Sequence, residues 1–497
     1  MSEDLPPTPP ASRRKNLLLA LMLLAAMIVA VGYSASQSGL LSQLFPPGEE
    51  KLPRVDFKEL HSRIEKPEEL SYVKFIEDAT LGEYDRANPK ASAWYEEGRV
   101  AAQLFAFVTA QGDTYGEGLL ALAERHANRA WNKSCRDPLI LAVCDVYLYS
   151  YRDFHSNDSN GGNRHLANAQ AMLASGYPVI CKLETASVAM KNLLSLKHKE
   201  KPIDDLTAVV ARIPAFFDET MKCLAGLIES APPERIPYWK FDRLLSDIKN
   251  DALLLADAAE RMDTILAAAK ASGGQRAYCQ GNAFISLAWA ARGTGWANTV
   301  TQEGWRVMAQ RLADARKALT EGAAAFPGNK WLPALMLTVE LGDNTGPAGM
   351  DAWFQKSVAI DPDYPRPYKS KMYYLQPKWH GTPRAIVDFG RECLATGRWD
   401  ACIPMVLVDG FAQLGTQYET LFEDATVWKL FRETSEEFLR RYPRSVLYHT
   451  KFFEAAVLGK HWDIARAQLK ILGDHWDHSV LNEREFNERK AAIPGGA

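Results

Sequence analysis

Met308, Leu312, Ala315 and Leu319 fall at i, i+4, i+7 and i+11, which puts all four on one face of a single long helix. Phe326-Pro327-Gly328-Asn329 closes that helix, and Leu332, Leu335, Met336 and Val339 repeat the pattern up to Gly342. Two amphipathic helices joined by so short a turn must pack as a hairpin. Neither can bury its apolar face alone, so the hairpin must in turn pack on others. The same punctuation recurs downstream. Residues 350–360 read as a helix ended by Asp361-Pro362, residues 368–375 as a short helix stopped at Pro377, and residues 386–394 as another. Thr382 before Pro383 has the form of an N-cap followed by proline at the first helical position. A helix holding Met405 and Val408 follows, and Trp462, Ala465, Leu469 and Leu472 make a stripe near the end. Two turns echo each other, Gly397-Arg398-Trp399-Asp400 and Gly459-Lys460-His461-Trp462-Asp463. Their irregular spacing suits a divergent array of helix pairs.

Residues 57–270 are helical in pattern as well. A helix is expected over residues 91–109 despite Gly98, which costs about 1 kcal/mol relative to alanine. Asp137-Pro138 predicts an N-cap and a helix over Pro138–Tyr151. Residues 155–165, rich in Asn, Ser and Gly, read as a polar loop. The next helix carries Leu166, Ala169, Met172 and Leu173 and stops at Gly176-Tyr177-Pro178. Residues 251–268 form another, with Leu255, Ala259, Met262 and Leu266 as its stripe. Ser272-Gly273-Gly274 is the best internal boundary. It divides an N-terminal helical domain, residues 56–272, from a C-terminal one, residues 275–497.

The N-terminus reads as an address. Arg13-Arg14-Lys15 precede an apolar run that Gly32-Tyr33 closes, and residues 17–33 just reach the lower limit of a membrane span, about 17–25 residues. Positive charge on the N-terminal side keeps that side in the cytoplasm. The expectation is a disordered cytoplasmic tail over residues 1–16, an anchor over 17–33 and a linker over 34–55, with the bulk of the chain exported. A cleaved signal peptide is the competing reading. The anchor is preferred because the run is long for a signal peptide and no Ala-x-Ala site follows it.

A net charge of −3 argues against nucleic acid as a partner, which would need a basic stripe. Thirteen Trp and eighteen Tyr suit helices that pack through large flat side chains, or a ligand groove. Of the seven cysteines, Cys135 with Cys144 and Cys393 with Cys402 flank turn signals or helix starts, so each pair is a candidate disulfide in an oxidising compartment. The alternative is that all seven are buried as small apolar side chains.

Arg292 between Trp289 and Trp296 suits a guanidinium held by aromatics and offered to a carboxylate or phosphate. The competing and preferred reading is a helix-to-turn junction. There Gly293 and Gly295 allow the bend, Trp packs it and Arg292 caps carbonyls. Trp379, before the His380-Gly381-Thr382 turn, is a binding edge or a packing anchor. His475 and His478, beside Asp474 and Asp477 and one hairpin after His461, would share a face if helical, but no His-Glu-x-x-His or paired Cys-x-x-Cys supports a metal, and none is assigned. Asp361 with Asp363, or Glu303 with Asp388, would serve as an acid/base pair if the fold brought them together. No nucleophile elbow, phosphate loop or dinucleotide fingerprint is present, so no catalytic residue and no cofactor are assigned.

Phe354-x-x-Ser357 with Pro362 and Tyr368 is similar to the second helix and closing proline of a tetratricopeptide repeat, and Pro443 with Ala465 and Leu469 resembles the same frame. The run from Trp289-x-Ala291-Arg292-Gly293-x-Gly295-Trp296 through Thr301-x-Glu303-Gly304-Trp305 to Pro377-Lys378-Trp379-x-Gly381-Thr382 is more specific. It resembles a bacterial family of unknown function with a tetratricopeptide-like helical domain, over residues 280–401. The resemblance implies architecture and no chemistry. The expectation is an all-α, irregular tetratricopeptide-like helical-hairpin array with one N-terminal transmembrane helix, single-pass in the bacterial inner membrane, its bulk in the periplasm. Its expected function is to bind a protein or peptide partner there, since stacked hairpins create long concave surfaces. The alternative is an exported all-α hydrolase acting on glycan or cell-envelope polymer.

Overall fold

The structure is a computed structural model that describes residues 52–64, 67–112, 115–151, 159–197, 211–230, 238–269, 271–343, 346–418 and 420–495. The tail at 1–16, the anchor at 17–33 and most of the linker at 34–55 lie outside the described residues. The chain forms two units, Met1–Leu60 and His61–Ala497. Among the described residues there are twenty-one α-helices and no strand. None of these helices is long and apolar enough to cross a membrane.

After α1 (Phe57–Ser62), the first half runs α2 (Pro67–Ala87), α3 (Tyr95–Gln111), α4 (Leu119–Asn132), α5 (Pro138–Tyr151), α6 (Ser159–Ala174), α7 (Val179–Lys197), α8 (Ile213–Ser230), α9 (Tyr238–Asp247) and α10 (Ala252–Ala268). Its local signals are mostly literal. Asp137 caps α5 by accepting from the amides of Leu139 and Ile140. Gly98 sits inside α3 because the Tyr84 ring lies where its Cβ would be. The Tyr84 hydroxyl donates to the Tyr95 carbonyl on the same helix. In α10 the expected Leu255, Met262 and Leu266 are buried, but Ala258 rather than Ala259 completes the stripe. Of the polar loop expected over residues 155–165, residues 155–158 lie outside the described residues, and 159–165 belong to α6 instead, so the helix runs straight through Gly161-Gly162 into the part where Leu166, Ala169 and Met172 are buried. A helix committed by packing at one end propagates through residues that would not start one.

The second half runs α11 (Gly273–Arg292), α12 (Gln302–Ala325), α13 (Trp331–Gly342), α14 (Pro347–Ile360), α15 (Pro365–Tyr374), α16 (Pro383–Ala395), α17 (Met405–Gly415), α18 (Ala425–Arg441), α19 (Val446–Leu458), α20 (Trp462–Leu472) and α21 (Glu483–Ala491). Ser272 opens α11 with a capping box completed by Gln275. α11 and α12 approach closely because each offers a glycine to the other. A Cβ on Gly281 would fall 2.6 Å from Leu319, and one on Gly322 would fall 2.5 Å from Ala277. Thr382 caps α16 ahead of Pro383, as its sequence predicts. Phe354, Ser357, Pro362 and Tyr368 come together. Phe354 meets Tyr368 edge to face, Ser357 is fully buried, and the Tyr368 hydroxyl donates to the Pro362 carbonyl. The two echoing turns, by contrast, differ. Gly397 takes φ +62° and turns continue to Pro404, whereas Gly459 is right-handed and α20 begins at Trp462.

Most successive helices pack on one another, and a second relationship organises the array. α3, α5, α7, α9, α11, α13, α15, α17 and α19 each pack against the next in that series, giving one continuous row. Side-chain bonds stitch distant parts of the row. Arg366 of α15 donates to Asp242 of α9 and to the Tyr278 hydroxyl of α11, and Tyr278 donates to Asp242. The loop between α3 and α4 returns to the start of α19. There Tyr115 stacks on Tyr442 and the Gly116 carbonyl accepts from the amide of Leu447. The core of the C-terminal part is aromatic, with Phe411, Phe431, Phe438, Phe452 and Phe453 all inaccessible to solvent.

Candidate functional site

Three helices of the continuous row, α15, α17 and α19, together with residues 479–480, line a groove of about 410 Å³. Met372, Val406, Ala412, Leu447 and Val480 supply its apolar lining. The polar lining is layered. Asp409 of α17 accepts from Lys451 of α19 at 2.6 Å, and both side chains are largely buried. One turn further along each helix stand Gln413 and Glu454. Gln413 Oε1 is buried and has no hydrogen-bond partner. Burial pushes the Glu454 carboxyl above the usual carboxylate range and Glu485 adds to this, while Arg489 and Lys451 pull it down. Lys369 of α15 faces the same groove from its other edge and is exposed.

The loop after α20 completes the wall. Trp476 stacks on Phe486 at 4.0 Å and donates to the Leu481 carbonyl, while the Asp477 amide donates to Thr450 Oγ1 on α19. These contacts hold Ser479 and Val480 against the groove. They also correct an expectation: residues 473–482 are not helical, so His475 and His478 do not share a helix face. His461 stacks on Trp428 at 3.8 Å and its Nε2 meets the Phe422 carbonyl, a packing role at the start of α20. No group of three or more metal-competent side chains gathers among the described residues.

The residues singled out in sequence sit elsewhere. Arg292 donates to the carbonyls of Gly293 and Gly295 and lies over the rings of Trp289 and Trp305. Trp289 meets Trp379 edge to face at 5.7 Å, and Tyr373 leans on Trp379. Thus Arg292, Trp289 and Trp379 come together as a helix-end packing knot, while Trp296 is 82% exposed on the turn. None of the four lines the groove. Asp361 pairs with Lys330 and Asp363 with Arg398. Glu303 and Asp388 pair with Arg306 and Arg384 on their own exposed helix faces. Four separate cations hold these four acids, and none of the four faces the groove. Cys135, Cys144, Cys393 and Cys402 are buried, and no disulfide forms among the described residues. Burial pushes the thiols of Cys135 up to about 11 and of Cys393 up to about 12, far from reactivity.

The groove residues carried a sequence signal that periodicity alone does not weigh. Asp409 interrupts a helix whose Met405, Val406, Leu407, Val408, Phe411 and Leu414 are all buried, and Lys451 and Glu454 interrupt an equally apolar α19. A charge inside an apolar helix needs a partner or an opening. The fold and groove define an all-α array of helix pairs with a charged, partly apolar concavity. No protein-family model and no curated protein matches the chain.

Proposed function

We propose that this is a membrane-tethered helical-hairpin protein that binds a protein or peptide partner on the exported side, in the groove of α15, α17 and α19. The observation that carries the reading is the groove itself. It is formed by consecutive helices of the continuous row, has an apolar lining, and holds a buried Gln413 Oε1 with no hydrogen-bond partner. Grooves of this kind take extended or helical segments through apolar anchors and a few fixed polar groups. The tether rests on residues 17–33 and the charges before them. Tethering would raise the local concentration of groove and partner. The test is cross-linking in intact membranes, comparing the full chain with Ala412→Trp, which fills the groove. A partner captured by the natural chain and lost with Ala412→Trp supports the reading. Identical capture by both excludes the groove.

One observation favours a second reading, an exported hydrolase of glycan or cell-envelope polymer. Asp409 and Glu454 share the groove, and Glu454 has the raised carboxyl that a general acid needs. Release of new reducing ends from envelope glycan by the purified chain, abolished in Asp409→Asn and in Glu454→Gln, would establish it. Absence of release from the natural chain rules it out.

A further inference from the structure

The groove has a polarity that bears on what it takes, on the reading that it is a binding site. Its α17 and α19 walls carry acceptors. Gln413 Oε1 on α17 is buried with no donor to it, and Glu454 on α19 lines the same groove with no hydrogen bond or ion pair among the described residues. Lys451, the cation nearest in sequence, is committed to Asp409 at 2.6 Å, and Arg489 acts on Glu454 only through space. A buried acceptor without a donor, such as Gln413 Oε1, is costly while the groove is empty. A ligand that brings several N–H donors and a positive charge removes that penalty. An apolar or anionic ligand leaves it in place. The α15 edge has the opposite character, because Lys369 faces the groove with no ion-pair partner among the described residues. A polycation would therefore meet repulsion at one edge, whereas a single positive group finds a place at the other.

We infer that the groove selects a peptide by one basic side chain, lysine or arginine, whose donors are taken by Gln413 Oε1 and the Glu454 carboxylate. The remainder of the peptide lies over Met372, Val406 and Leu447. The groove volume of about 410 Å³ fits a short stretch of peptide, so a single anchoring charge is a large part of what it reads. The Asp409–Lys451 pair is the fixed neighbour that keeps Lys451 from closing on Glu454.

The test uses the full chain in detergent and fluorescently labelled ten-residue peptides on one alanine-serine background. Their central residue is lysine, arginine, norleucine or glutamate. The lysine and arginine peptides are expected to bind at least tenfold more tightly than the norleucine peptide, with the glutamate peptide weakest. Glu454→Gln should remove most of that preference while the norleucine peptide is unchanged. Gln413→Leu should reduce it several-fold. Glu454→Lys should transfer the preference to the glutamate peptide, a reversal that misfolding cannot produce. Thermal midpoints of each variant identify any that fail to fold, and Glu454→Gln is the conservative arm if Glu454→Lys does. Equal affinity for the lysine and norleucine peptides, or a preference untouched by Glu454→Gln, overturns the inference and leaves peptide binding standing. Failure of all four peptides to bind, with partner capture in membranes also unaffected by Ala412→Trp, overturns the binding reading itself.

Discussion

Ser445 Oγ donates a hydrogen bond to the main-chain carbonyl of Tyr115, a residue 330 positions earlier in the chain. Around it Tyr115 stacks on Tyr442 at 4.2 Å, and the next carbonyl, that of Gly116, accepts from the amide of Leu447. Leu447 lines the groove. One wall of the candidate site is therefore held in place by a loop from the first half of the chain.

Gly116 is the weak point of that arrangement. Its φ is +66°, and an added Cβ would fall 2.4 Å from Leu447 Cβ. Gly116→Ala should lose about 1–2 kcal/mol from the left-handed backbone alone, and more from displacing Leu447. Gly397 also has positive φ, at +62°, but nothing within 4 Å, so Gly397→Ala is the matched control for strain without the clash. Urea midpoints of the two variants should differ, with Gly116→Ala the less stable. Only Gly116→Ala should weaken peptide binding in the groove.

A buried ion pair in the first half gives a second prediction. The Lys240 amine, fully enclosed, stands against the Glu184 carboxylate, which also accepts from Arg243. Burial, and then Arg243, drives the Lys240 pKa well below the usual lysine value. Removing only the acid, as in Glu184→Leu, strands the amine and should cost about 3–5 kcal/mol. Removing both, as in Glu184→Leu with Lys240→Met, should recover most of that, because Arg243 can turn to solvent. A double variant no more stable than Glu184→Leu would refute this account of the pair.

Glu454 makes stability depend on pH. Its folded-state pKa is raised by burial, so its contribution to stability is fully present below the unfolded pKa, about 4.3. That contribution is lost as pH rises through the folded pKa. Glutamine carries no such penalty. Glu454→Gln should therefore raise the thermal midpoint at pH 8 and leave it unchanged near pH 4. A gain equal at both pH values would show that ionisation is not its cause.

The tryptophans divide sharply. Trp296→Ala should change stability by less than about 0.5 kcal/mol, as exposed substitutions usually do. Trp289→Ala should cost about 3 kcal/mol, because it removes the ring that packs Trp379 and Arg292. Thermal denaturation of the two variants side by side checks both values.

Much of the architecture was legible because it is local. Caps at Asp137 and Thr382, stripes such as Met308 to Leu319, and stops such as Asp361-Pro362 act within a turn or two of helix, so sequence spacing carries them. Residues 159–165 misled because their local preference for a loop is weaker than the pull of a helix packed at Leu166, Ala169 and Met172. The aromatic-arginine motif follows its preferred reading: Arg292 donates to the Gly293 and Gly295 carbonyls, and Trp289 and Trp379 pack the helix end.

By itself the sequence determined the all-α class, most helix boundaries and the faces that turn inward, because helical periodicity and capping are properties of neighbouring residues. Only the tertiary structure decided that Asp409, Gln413, Lys451 and Glu454 face one groove, and that Tyr115 and Gly116 support it. Those meetings join helices tens to hundreds of residues apart. Their geometry comes from how whole helices stack, which no local spacing encodes.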